Sequence, residues 1–327
     1  MKVGVGVSEI KARLLLLLSS VLFVVILLLL AELFVRLFMP EVKLYGTTRS
    51  LIRDPAFGKT YGWAPDATGV CFSTPVQIDH RGFRDLGGPA AADTSLLLIG
   101  DSVLFGVGVE AESTFAGMLQ HARPRIRVVN SGVVGYSLED YHEVVDYLLP
   151  RDSTIRSAVV CYSLNDFEQN LSRGQTTPPF WNLRGFFREN SKLYVWLKAT
   201  LFDRSNDFFQ HDFNFYAEPS PDLPHILQLL DSLVGKFTAK GIDCKVVLLP
   251  YEYQLRKNDP KLLLPQQILS GNLRERNISF VDAYPIFASM NRPSKEFFMF
   301  GDHMHLSPQG HRVVFEMIVE DIFVAKD

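Results

Sequence analysis

Cysteine is scarce. The 327-residue chain holds three, Cys71, Cys161 and Cys244. An odd count completes no disulfide framework, and the spacings match no metal-ligand pattern. Cys161 and Cys244 lie in apolar runs, where free cysteine packs as a small hydrophobe, and Cys161 has no base beside it to make it a nucleophile. A surplus of positive charge is missing too. With 33 Lys and Arg against 36 Asp and Glu, the formal net charge is −3, so nucleic acid is not an expected partner. The chain has no internal repeat or low-complexity tract. The Gly-rich stretch "GVGVEAE" at 106–112 lacks both G-x-G-x-x-G and the Lys-Ser/Thr ending of a phosphate loop. "GYSLE" at 135–139 puts glutamate where a G-x-S-x-G nucleophile elbow needs its last glycine, so Ser137 reads as a loop or cap serine. His303, His305 and His311 with Asp302 have no second ligand cluster to complete a metal site. His303 then reads as a solvated loop residue and His311 as a helix-face residue. Neither metal nor organic cofactor is expected.

What is abundant is apolar sequence, 47% of residues, which excludes a disordered chain. Its longest run, "LLLLLSSVLFVVILLLLA" at 14–31, has eighteen residues without a charge. As a helix that run spans about 27 Å, close to the hydrocarbon thickness of a bilayer. The expectation is an uncleaved membrane anchor. A cleaved signal peptide is the rival, but "AELFVRLFMP" downstream offers no small-x-small site. Lys2, Lys11 and Arg13 precede the run, while Arg36, Lys43, Arg49 and Arg53 follow it. This is nearly a tie on the positive-inside count, but long C-terminal domains cross regardless of charge. A single-pass protein with an extracytoplasmic body, periplasmic or at the cell surface, is the expected arrangement.

Residues 41–92 form a lead-in rich in Gly, Pro and aromatics, with alternation through Val76, Ile78 and His80 that suggests short strands. From residue 93 the rhythm changes. Short apolar runs at 95–99, 127–130, 158–162, 245–249 and 279–281 alternate with helical patterns at 115–122, 141–149, 223–240, 262–276 and 308–323. Near-continuous apolar strands alternating with helices imply a parallel sheet covered on both faces, so the fold class is α/β, doubly wound, with a mostly parallel five-stranded sheet. Ser307 before Pro308 marks a helix start, and Gly241 after Lys240 marks a helix stop. The expected organisation is an anchor over 1–40, the lead-in over 41–92, and one domain over 93–327 with an insertion at about 167–222. That insertion is aromatic and partly helical; its helices either pack on the body, cover a site or touch the bilayer.

Ligands of such sheets sit beyond the carboxyl ends of the strands, and four polar clusters fall there. They are Gly100-Asp101-Ser102, "VVNSGVVG" at 128–135, "LND" at 164–166 and "DHMH" at 302–305. Ser102 reads either as a helix N-cap or as a nucleophile. In the second reading His305 is the natural base, Asp302 fixes its tautomer, Asn165 offers a neutral donor, and the N–H groups of Ser102 and Gly135 complete an oxyanion hole. Asp101 and Asp166 beside them read as hydrogen-bonding scaffold.

These four blocks, in this order, resemble the SGNH hydrolase superfamily, the GDSL-type esterases and lipases, over about 96–324. The resemblance implies a flavodoxin-like fold, Ser102 as nucleophile, Gly135 and Asn165 as oxyanion donors, and Asp302 and His305 as the rest of the triad. Gly132 in the second block competes with Gly135 for the donor role. "VLFGVGV" after the first block and "HRGFRD" before it look like membrane-anchored bacterial members associated with envelope polysaccharide or lipid acylation. The expected activity is hydrolysis of an acyl ester of carbohydrate or lipid. The alternatives are O-acyl transfer by the same triad, with a membrane-bound acyltransferase as partner, and a catalytically silent scaffold of a membrane complex.

Overall fold

A computed structural model describes residues 7–89, 91–167, 183–218 and 220–324. Two small antiparallel hairpins come first. β1 (Ile52–Phe57) pairs with β2 (Thr60–Trp63), and β3 (Thr68–Cys71) pairs with β4 (Thr74–Gln77). The main sheet follows: β5 (Ser95–Ile99), β6 (Arg127–Asn130), β7 (Ile155–Tyr162), β8 (Asp243–Leu248) and β9 (Phe280–Asp282). It is parallel throughout, in the order β6-β5-β7-β8-β9. Every residue of β5 is buried, so both faces are covered, which is why its sequence is a continuous apolar run rather than an alternating one. The chain reverses direction across the sheet between β5 and its two neighbours. The crevice beyond the carboxyl ends of β5 and β7 is therefore the topological switch point at which such sheets bind ligands.

Several boundaries depart from the apolar pattern for local reasons. β7 begins at Ile155, three positions before the apolar run, because parallel pairing with Ser95 outweighs the exposed Arg156. The helix Leu138–Leu148 also starts three positions early. Its start is set by a polar cap, with the Ser137 N–H donated to Asp140 Oδ2 at 3.1 Å. The last helix is α-helical only over Pro308–Ile318 and continues as a π-helical turn, Val319–Val324. Ser307 caps it through the Gly310 N–H as its sequence predicts. All three cysteines are buried.

The hairpins are built into the body. Trp63 stacks on Phe105 with centroids 4.4 Å apart, and its Nε1 donates to the Gly132 carbonyl at 2.9 Å. Of the expected insertion, 168–182 and 219 lie outside the described residues. Its described part holds three helices, Leu183–Asn190, Lys192–Leu201 and Ser205–Ala217. The N-terminal helix Val7–Phe38 is long and apolar enough to cross a membrane by length and composition, and its apolar window is unburied.

Candidate active site

β5 delivers the chain to Gly100, and the turn into the short helix Ser102–Phe105 is made by Asp101, not by Ser102. Asp101 is the N-cap, its Oδ1 accepting the Val103 N–H at 2.8 Å. The capping reading of Ser102 is thereby corrected. The serine occupies the first helical position, where its N–H is one of the donors without an intrahelical partner. Its side chain is turned to the loop before the last helix. His305 Nε2 lies 2.9 Å from Ser102 Oγ, and His305 Nδ1 lies 2.8 Å from Asp302 Oδ2. Asp302 is itself held by its Oδ1, which accepts the N–H groups of Met304 and His305, each at 3.0 Å. The loop is pinned at both ends, by Met299 N–H on the His305 carbonyl and Ser307 N–H on the Phe297 carbonyl.

Burial sets the electrostatics. It opposes ionisation of Asp302, but the charge and hydrogen bond of His305 and the backbone donors outweigh it and hold the carboxyl far below its usual range. Burial likewise disfavours a charged His305, yet the charge and hydrogen bond of Asp302, with the charge of Asp101, leave the imidazole above its usual value. Asp101 and Asp166 are pushed up by burial. Both act as scaffold: Asp166 Oδ2 accepts the Ser163 N–H at 2.9 Å.

Asn165 follows β7. Its Oδ1 lies 3.3 Å from the Tyr251 hydroxyl, which is itself 2.6 Å from Asp212 Oδ2. With its oxygen engaged, the amide turns its Nδ2 donors away from that tyrosine. The two glycines of the second block differ. Gly132 donates its N–H to Asn130 Oδ1 at 3.0 Å, whereas Gly135 stands at φ +81°, a conformation that favours glycine.

One sequence expectation for the histidines is corrected and another is made specific. His303 is no solvated loop residue: its ring stacks on Phe208 with centroids 4.3 Å apart. His311 is on the last helix, but it faces the core with no exposed surface, its Nδ1 accepting the Phe115 N–H at 3.3 Å. Burial pulls its pKa down to about 3.

Sequence reasoning missed two groups around the site. Arg84, buried, donates to the carbonyls of Phe105, Gly106 and Val109 and so braces the turn that carries Ser102. Burial lowers its pKa to about 10. It lies inside "HRGFRD", a stretch whose neighbouring Gly and two arginines were the available signal. Tyr45, from the lead-in, places its hydroxyl 3.4 Å from Asp302 Oδ2; nothing local in the sequence marks it. A cavity of about 1060 Å³ opens beside His303 and His305, lined also by Tyr45, Phe72, Arg188 and Lys198.

Comparison with known proteins gives the family of the chain. No curated protein matches the chain. Solved structures that resemble it include a lipolytic protein of the G-D-S-L family from Veillonella parvula, with 14% identity, 71% of this chain and 98% of that one covered, and a TM-score of 0.44. The acetylxylan esterase Axe2 from Geobacillus stearothermophilus shows 17% identity, 71% and 95% coverage, and a TM-score of 0.45. A lipase/acylhydrolase from Enterococcus faecalis shows 14% identity, 70% and 95% coverage, and a TM-score of 0.43. Residues 98–313 match the GDSL-like lipase/acylhydrolase family, and since that span covers about two thirds of the chain, from the end of β5 past the loop of His305, the chain belongs to this family of SGNH-type serine hydrolases.

Proposed function

We propose that the protein is a membrane-anchored esterase or deacylase acting on O-acyl esters of envelope carbohydrate or lipid through a covalent acyl-enzyme. The observation that carries the reading is the continuous line from Asp302 Oδ2 through the His305 ring to Ser102 Oγ, with contacts of 2.8 and 2.9 Å. Ser102 Oγ attacks the ester carbonyl and gives its proton to His305 Nε2. Asp302 holds the ring in the tautomer with Nδ1 protonated and stabilises the imidazolium. The oxyanion rests on the N–H groups of Ser102 and Gly135 and on Asn165 Nδ2. Collapse expels the alcohol, which takes the proton from His305 and leaves acyl-Ser102. Water then gives a proton to His305 Nε2 and attacks the acyl carbon; as the bond from the acyl carbon to Ser102 Oγ breaks, His305 returns that proton to Oγ, and the acid leaves with the serine restored.

In this reading the helix over 7–38 spans the membrane, residues 41–327 lie on the extracytoplasmic side, and 93–327 form the hydrolase domain. The hairpin contacts of Trp63 support taking 41–92 with that domain. The test is labelling of the full-length protein with a fluorophosphonate, together with turnover of p-nitrophenyl acetate. Wild type should label and turn over, and Ser102→Ala should do neither while folding normally. Equal labelling of both proteins sinks the assignment.

A further inference from the structure

Glu32 is the first charged residue after the apolar run 14–31, and its carboxylate caps another helix. It accepts the N–H groups of Lys192 at 3.0 Å and Leu193 at 2.8 Å, and the Ser191 hydroxyl at 2.8 Å, at the start of Lys192–Leu201. One turn later Arg36 donates to the Asn190 carbonyl at 2.7 Å, where Leu183–Asn190 ends, and Val35 packs with Val42 and Val195. A carboxylate suits a helix N-terminus because it satisfies donors that have no partner within the helix. A charge that directly follows a bilayer-length apolar run sits at headgroup depth. Groups hydrogen-bonded to that charge are held at the same depth.

The surface those two helices present is unlike the rest of the body. Outside the N-terminal helix, four large apolar side chains among the described residues are more than half exposed: Leu183 (68%), Phe186 (58%), Leu201 (65%) and Phe202 (67%). All four belong to this one segment. Interleaved with them are Arg184, Arg188, Lys192 and Lys198, none within ion-pair distance of a carboxylate among the described residues. Burial, and the like charges of Arg188, Arg204 and Arg184, make it harder for Lys198 to hold its proton. A nearby anion relieves that repulsion. Arg188 lies over the Tyr45 ring, 4.5 Å from its centroid, but it too meets no carboxylate among the described residues. Exposed Phe and Leu beside Arg and Lys are the make-up of a helix lying in a lipid interface.

We propose that the segment 183–202 is a second membrane contact, lying in the headgroup layer of an anionic bilayer beside the spanning helix. The proposal rests on the anchor reading above. Its consequence is positional. The cavity beside His305 is lined by Lys43, Lys198 and Phe202, so its mouth opens at the lipid surface and takes ester substrates from there.

The experiment uses the full-length chain in phosphatidylcholine vesicles with and without phosphatidylglycerol, carrying single environment-sensitive probes. Phe186→Cys and Leu201→Cys report the segment, Leu22→Cys the spanning helix, and Arg125→Cys, before β6, the far end of the sheet. The expected result at 186 and 201 is a blue shift, loss of quenching by aqueous iodide, and quenching by shallow spin-labelled lipid, all stronger with phosphatidylglycerol. Position 125 should stay accessible to iodide. Probes at 186 and 201 that remain accessible while 22 is protected overturn the proposal and leave the anchor standing. Accessibility at 22 as well overturns the anchor. Protection at 186 and 201 without lipid quenching means that a protein surface covers the segment, which also overturns the proposal.

Discussion

The phenol of Tyr45 reaches the carboxylate of Asp302, its hydroxyl 3.4 Å from Oδ2, across 257 positions of sequence. At that length the contact lies beyond the usual range of an O–H···O bond, and Asp302 keeps its contact with His305 and its two backbone donors without it. Tyr45→Phe should therefore lower kcat by less than about tenfold, whereas Asp302→Asn, which favours the wrong tautomer, should lower it by about 10⁴. The comparison of kcat for the two variants checks this; a loss near 10⁴ for Tyr45→Phe would show that the phenol, not the backbone, holds the aspartate. Burial and the charge of Asp302 push the Tyr45 pKa upward, so the phenol keeps its proton throughout such an assay.

Ser102 and Asn165 should separate by the kind of loss. Ser102→Ala removes the covalent route and all probe labelling. Asn165→Ala removes one oxyanion donor, a change worth about 10² to 10³ in kcat, and leaves labelling at Ser102. In the double variant kcat should be scarcely below that of Ser102→Ala, because residues acting as one unit lose their effects together. Thermal melting controls for folding, and a well-folded Ser102→Ala enzyme with near wild-type kcat would remove the mechanism.

The pH dependence follows from the direction of the His305 shift. The base must be neutral, and its folded pKa is raised, so kcat/KM should fall as pH drops through a midpoint above the unperturbed value of about 6.5. Asp302→Asn takes away the charge that raises it and should move the midpoint downward. Stability responds in two windows. The contribution from Asp302, whose pKa is depressed, is complete above about 4 and is lost as pH falls through the folded value. The contribution from His305 is complete below about 6.5 and fades as pH rises through its raised value. A rate independent of pH from about 5 to 8, with chemistry limiting, counts against His305 as base.

Arg84 braces the Ser102 turn through three carbonyls. Arg84→Met keeps much of the stem's packing but takes the arginine donor from the Phe105 and Val109 carbonyls, at about 1 kcal/mol or more apiece, while the Gly106 carbonyl keeps the Val109 N–H at 3.2 Å. The expected loss is about 2 kcal/mol of stability, with a lower kcat in whatever remains folded. Denaturant midpoints measure it. A change within about 0.5 kcal/mol would place Arg84 among ordinary surface positions.

The glycines of the second block should also part company. A Cβ on Gly132 would sit 2.5 Å from the Phe105 nitrogen and 2.7 Å from the Asp101 carbonyl oxygen, both backbone atoms of the Ser102 turn. Gly132→Ala must displace that turn, and it should unfold or inactivate the protein. On Gly135 the nearest atom is the Tyr61 hydroxyl at 3.1 Å, and the penalty is the positive φ, about 1–2 kcal/mol. Gly135→Ala should fold, with reduced kcat. Melting temperatures and kcat for both variants decide whether the two roles are assigned the right way round.

Features that repeat or cap locally can be read along the chain without its fold. The apolar runs of β5 and β8 announce a sheet buried on both faces, Ser307-Pro308 announces a helix start, and the blocks around Ser102, Asn165 and Asp302 lie just past strands or just before the last helix, where the crevice forms. Tertiary structure decided everything that depends on a partner distant in sequence. Asp101 took the cap that Ser102 equally fits, because the short helix begins at Ser102 itself. His311 turned into the core, since one face of an amphipathic helix must meet the helix Phe115–Ala122, and His303 found Phe208 across the crevice. Arg84, Tyr45 and Glu32 have their effects at positions tens to hundreds of residues away. A single side chain that bonds across such a distance leaves no period in the sequence, because periodicity records only which face of an element is covered and not what covers it.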